Sequence, residues 1–181
     1  MALTETNSYT INDVFDLPDG QRAELIDGRV YYMSPATRKH QRIVGELFAT
    51  IREYIKRNNN NRCEVDIAPF AVFLDGDNKT YVEPDISIIC DLNKLDDKGC
   101  NGAPDWIIEV VSPASRKIDY TTKLFKYRSA GVREYWIVDE EKSRVMVYNF
   151  ALDEMNEYSF SEDIPASLFN DFTIRISNLE L

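Results

Sequence analysis

Residues 81–90, YVEPDISIIC, and 105–139, DWIIEVVSPASRKIDYTTKLFKYRSAGVREYWIVD, decide the fold. In the second segment WIIEVV has apolar residues on both sides of its carboxylate, the pattern of a strand covered on both faces. Ser115 can cap a helix that runs to about Ala130, where Gly131 stops it. REYWIVD follows, rich in aromatic and β-branched residues and so a second strand. Strand, helix and strand in this order predict a right-handed crossover with a parallel pair. YVEPDISIIC supplies a further strand, and Pro84, which cannot donate to a ladder, places Asp85 at its start, edge or a bulge.

Outward from this centre, Thr10 with Asp13 reads as a capped short helix stopped by Pro18. RAELIDGRVYYM is a hairpin turning at Asp27-Gly28, with Glu24 on its first strand. From 37 to 57 the apolar residues Ile43, Val44, Leu47, Phe48, Ile51, Tyr54 and Ile55 recur at three and four, which predicts a helix with one buried stripe; the asparagines at 58–61 end it. EVDIAPFAVFL is strand material interrupted by Pro69, paired through the turn at 75–78 with TYVEPDISIIC. Residues 91–104 read as a loop with a short helix at LNKL. RVMVYNF and MNEYSF are C-terminal antiparallel strands joined at Asp153-Glu154, and FTIRI closes the chain. The expectation is one α/β domain over 1–181, a central mixed sheet flanked by helices.

Composition narrows the function classes. No run approaches the about 18 apolar residues of a membrane helix, and MALTETNSYT has neither a basic leader nor an apolar run, so a soluble cytoplasmic protein is expected. Cys63, Cys90 and Cys100 show no C-x-x-C spacing and are read as free buried thiols. A net charge of -10 argues against a general nucleic-acid coat. From Asp139 onward, however, ten acids face three basic residues, so most of the acidity lies there. Positions 116–133 instead carry Arg116, Lys117, Lys123, Lys126, Arg128 and Arg133 against the single acid Asp119, a basic stripe directly after the central carboxylates.

A carboxylate inside WIIEVV needs a cation, because an unpartnered charge in an apolar layer costs several kcal/mol. For Glu109 that cation is either a lysine or arginine, or a divalent metal. Asp85 and Glu109 on neighbouring strands suit Mg²⁺ or Mn²⁺, hard cations that take oxygen ligands and keep several waters. A nearby ammonium would stabilise charge developing on a phosphate. Lys123 lies four after Asp119 and four before Tyr127, on one helical face, with Lys126 and Arg116 as competitors. His40, the sole histidine, falls near the start of the apolar stripe and reads as a packed or capping residue. Ser112 with His40 makes no hydrolase triad, since no G-x-S-x-G elbow is present.

Glu24 to Gly28, Pro84-Asp85, Glu109 to Pro113, the D-x-x-x-K-x-x-x-Y run of Asp119, Lys123 and Tyr127, Gly131-Val132 and Glu134-Tyr135-Trp136 together resemble the Uma-two family, over nearly the whole chain. That family is placed in the PD-(D/E)XK, restriction-endonuclease-like superfamily. The resemblance implies an Mg- or Mn-dependent endonuclease-like phosphodiesterase in which Asp85, Glu109 and the Val110 carbonyl hold the metal. The superfamily's lysine stands two residues after the acid, where this chain has Val111, so Lys123 inherits the role. Glu24 matches an additional acid, and His40 matches a family position at the site edge. Arg116, Lys126 and Tyr127 are candidate substrate contacts. Nucleic acid, DNA first, is the expected partner, with a homodimer by analogy with enzymes that cut both strands. The competing expectation is an inactive nuclease-fold module that binds nucleic acid or a protein through the basic stripe.

Overall fold

The computed structural model describes residues 8–58 and 62–181. The MALTETN opening and the last three of the helix-ending asparagines lie outside the described residues. Helix α1 (Ile11–Phe15) starts with the reciprocal Thr10–Asp13 capping box expected from sequence. Strands β1 (Ala23–Ile26) and β2 (Arg29–Tyr32) form the hairpin, with Asp27 at φ 50 and Gly28 at φ 75, the left-handed pair that a two-residue turn demands. Helix α2 (Arg38–Arg57) follows, its N-terminus capped by the Thr37 hydroxyl.

β3 (Glu64–Ile67), β4 (Val72–Phe73), β5 (Ile86–Ile89) and β8 (Trp106–Val110) lead into the crossover, with β6 (Leu95–Asp96) and β7 (Gly99–Asn101) between the last two. The crossover helix is built in three stretches, α3 (Arg116–Ile118), a π-helical turn Asp119–Lys123 and α4 (Leu124–Ala130), and ends on Gly131 at φ 94. β9 (Glu134–Asp139), β10 (Arg144–Asn149) and β11 (Glu154–Ser159) complete a six-stranded sheet of order β11-β10-β9-β8-β5-β3. Only β8 and β9 pair in parallel within it, so the sheet is mixed.

Side chains alternate across β8, and this positions the chemistry. Trp106, Ile108 and Val110 face the α2 layer with Ile43, Leu47 and Ile51, whereas Ile107 and Val111 pack with Tyr127, Tyr135 and Ile137 on the other face. Glu109, between Ile108 and Val110, therefore falls on the crossover-helix side. The hairpin reaches the same place because Leu25 and Tyr81 exchange backbone hydrogen bonds of 2.7 Å.

Four sequence expectations are corrected. Cys63 and Cys90 form a disulfide, because the antiparallel register Glu64↔Ile89 sets them opposite each other; Cys100 alone is a free buried thiol. Ser115 does not cap the crossover helix, since its hydroxyl bonds with Ser112 instead. Residues 91–104 hold the short helix expected at LNKL, over Leu92–Lys94, but the rest is not plain loop: β6 and β7 join β4 in a small three-stranded sheet. The closing segment contributes only β13 (Thr173–Ile174), paired with β12 (Ile164–Pro165) apart from the main sheet. Among the described residues no helix is long and apolar enough to cross a membrane.

Candidate active site

The antiparallel register Ile86↔Ile108 carries one step further to Asp85 and Glu109, so the two acids meet at the start of β5 and the end of β8. The Asp85 amide lies 3.4 Å from Glu109 Oε2, and the Val110 amide donates to Asp85 Oδ2 at 2.8 Å. Asp85 Oδ2 also faces His40 Nε2 at 3.2 Å. His40 reaches it from the first turn of α2, where its own amide is held by the Thr37 cap.

Lys123 enters from the π-turn. Its ammonium is 2.8 Å from Glu24 Oε2, 2.9 Å from Glu109 Oε1 and 3.8 Å from Asp119 Oδ1, with the residue only 5% exposed. The Tyr127 hydroxyl donates to the same Glu109 Oε1 at 2.7 Å, and Glu24 Oε1 accepts from the Glu83 amide at 3.0 Å. Tyr135 holds the helix backbone through the Asp119 carbonyl at 3.2 Å. A π-turn is rare and recurs at functional sites; here it spans the two helix residues, Asp119 and Lys123, that point at the sheet.

The cluster is short of positive charge. Glu24, Asp85, Glu109 and Asp119 surround one ammonium and one imidazole. Burial pushes the Glu109 carboxyl well above its ordinary range, against the pull of Lys123 and with help from the other three acids. Burial likewise raises Asp119 to about 6. Lys123 is held charged well above the usual lysine value: burial works against it, but Glu109, Glu24 and Asp119 outweigh burial. Burial next to Glu109 raises the Tyr127 phenol, which stays a hydrogen-bond donor.

These residues fit a hard divalent cation. Among the described residues, Asp85 meets the Val110 amide and His40 through Oδ2 alone, Glu109 Oε2 has only the long approach of the Asp85 amide, and the buried Asp119 Oδ1 accepts no hydrogen bond. Among the described residues no three His, Cys, Asp or Glu side chains come together to hold an ion by themselves. Two carboxylates with a backbone carbonyl and waters are a donor set that magnesium tolerates.

Of the residues singled out from sequence, Glu24, Asp85, Glu109, Val110, Lys123, Tyr127 and His40 come together. Arg116 and Lys126 do not. Arg116 pairs with Asp139 and Glu141, and Lys126 with Asp27 and Asp75. Nor is the basic stripe one surface, because Arg128 turns to Asp153 and Arg133 to Asp105 while Lys123 is buried. Tyr127 is fully buried, in place to orient Glu109 rather than to meet a substrate. Asp119 is the member that sequence reasoning left outside the site, although its spacing of four from Lys123 was the available signal.

The Uma2 family, described as "putative restriction endonuclease", matches residues 11–177. A crystal structure of a putative nuclease belonging to DUF820 from Anabaena variabilis ATCC 29413 superposes with a TM-score of 0.76 at 21% identity, covering 94% of this chain and 96% of that one. That likeness is one of fold. No curated protein matches the chain. With its mixed sheet, its crossover helix and a family match running almost from end to end, this chain belongs to the Uma2 family of restriction-endonuclease-like proteins.

Proposed function

We propose that the chain is a single-domain, metal-dependent nuclease that hydrolyses phosphodiester bonds, with DNA as substrate and Mg²⁺ or Mn²⁺ as cofactor. The observation that carries this reading is the meeting of Asp85 and Glu109 at one end of the sheet with the Lys123 ammonium 2.9 Å from Glu109. Asp85, Glu109 and the Val110 carbonyl would hold the metal, which when bound supplies a Lewis acid and a water of lowered pKa. Lys123, kept charged by its carboxylates, stabilises negative charge developing on the phosphate. Glu24 fixes that ammonium, and Tyr127 fixes Glu109 Oε1 so that Oε2 stays toward Asp85. The Val110 amide and His40 orient Asp85. A homodimer is the form suited to cutting both strands.

A ligand that binds the folded chain alone must raise its melting temperature. Mg²⁺ or Mn²⁺ titration should therefore raise it in the wild type and leave Asp85→Asn unmoved. Cleavage of a panel of nucleic acids should be lost in Glu109→Gln. A melting curve indifferent to both metals, or equal background cleavage by wild type and Glu109→Gln, would leave the inactive binding module as the better reading.

A further inference from the structure

A second charged cluster lies at the end of β9, where Asp139 holds Arg116 and Tyr120. A cleft of about 360 Å³ is lined by Pro113, Arg116, Lys117, Tyr120, Lys142 and Arg144. Four of these six are cations and none is an acid, in a chain of net charge -10. The volume sits at the small end of the roughly 300–1,000 Å³ typical of ligand pockets.

The cations are of two kinds. Two are fixed by their neighbours. Arg116 is gripped by both carboxylate oxygens of the buried Asp139 and by Glu141, and the Tyr120 hydroxyl shares Asp139 at 3.1 Å. Arg144 pairs with Glu157 at 2.8 Å, yet its Nε is buried without a hydrogen-bond partner. The other two are free: Lys117 and Lys142 are exposed and, among the described residues, neither ammonium has an ion-pair partner. Held guanidinium groups beside unpaired ammonium groups leave positive charge in this cleft for an anion to meet.

Its position says which anion. Pro113 and Arg116 follow β8 directly, so the cleft opens at the same sheet end as Glu109 and Val110. Lys39 ties the β9–β10 turn, through Glu140, to the first turn of α2 beside His40. A strand engaged at Asp85 and Glu109 and leaving past β9 would meet these four cations next.

We propose that this cleft is a phosphate subsite of the nucleic-acid strand, holding a backbone phosphate away from the one attacked. It deepens the nuclease reading and rests on it for the direction of the strand. The test is anisotropy of a short fluorescent single-stranded DNA in metal-free buffer across a salt series, comparing wild type with Lys117→Gln/Lys142→Gln. Both lysines are exposed, so the double variant should melt with the wild type and keep the metal-dependent rise. Its affinity should fall at least about tenfold, and the slope of log K against log salt should flatten by about 0.7, the value for one single-strand phosphate no longer neutralised. Inorganic phosphate should compete with the strand in the wild type and lose that effect in the variant.

Equal affinity and equal slope in the two proteins would overturn the subsite, as would a wild type that binds no strand and instead uses the lysines for an acidic protein. The metal-dependent melting response tests the Asp85 and Glu109 site and not these lysines. Its absence alongside lysine-dependent strand binding would sink the nuclease reading and leave the phosphate subsite standing.

Discussion

Lys117 and Lys123 sit on one crossover helix and carry the same charge, yet they belong to different physical worlds. Lys123 is 5% exposed and wedged among Glu24, Glu109 and Asp119, while Lys117 stands in solvent at the rim of a cleft. The buried ammonium is part of the fold, because among the described residues three carboxylates on three different elements have no other cation. The exposed one is idle until an anion arrives. Burial, more than residue type or local charge density, decides whether a charge here is already held by the fold's own acids or stands unpaired.

The severest way to break this contrast is Lys123→Met. The substitution keeps the stem and removes the charge, leaving Glu24, Glu109 and Asp119 buried and uncompensated. Breaking a buried pair from one side costs roughly 3–5 kcal/mol. Urea unfolding should show a loss of that order, together with loss of nuclease activity. A loss below about 1 kcal/mol would mean that protons already neutralise the acids and that Lys123 is not their essential partner.

How much of this was legible beforehand follows the range of the interactions. The two-sided strand, the crossover helix and the hairpin were readable from local pattern, since WIIEVV, the 37–57 stripe and Asp27-Gly28 each carry their own signal. The alignment of Lys123 with Asp119 and Tyr127 was readable from helical spacing. Sheet register was not, because it is set by packing between segments far apart in the chain. Hence the meeting of Asp85 with Glu109 rested on a family resemblance, and the Cys63–Cys90 bond was missed altogether. The basic run at 116–133 misled for a related reason. Its charges do not follow one helical face, so folding sends them to the interior, the cleft and three separate surface pairs.

A gentler way to sharpen the contrast is pH, which acts on the buried cluster and spares the cleft lysines. Asp119 titrates at about 6 in the fold, against an ordinary value of 3.8, so the folded chain binds more protons than the unfolded one between these values. Stability from this group is therefore fully present below about pH 4 and is lost as pH rises through about 6. Glu109, raised by burial, acts in the same direction, and so does His40, whose bond to and attraction by Asp85 outweigh burial. Metal-free protein should become less stable from pH 5 to 7, and Asp119→Asn should flatten that decline. A wild-type curve rising over the same interval, with Asp119→Asn parallel to it, would show that the cluster is not strained by its excess of acid.

The smallest expected effect is the most discriminating. Lys117→Gln/Lys142→Gln removes two positive charges from an acidic chain, twice what Lys123→Met removes. Neither lysine has an ion-pair partner among the described residues, neither is buried, and solvent screens whatever long-range attraction they feel. Surface changes of this kind fall within about 0.5 kcal/mol. Urea unfolding of the double variant should therefore overlie the wild type while its salt-dependent strand affinity falls. If the double variant instead lost stability approaching that of Lys123→Met, the cleft cations would be holding Asp139, Glu141 and Glu157 together as structure. The division of this helix into a lysine held by buried acids and one left unpaired for an anion would then disappear.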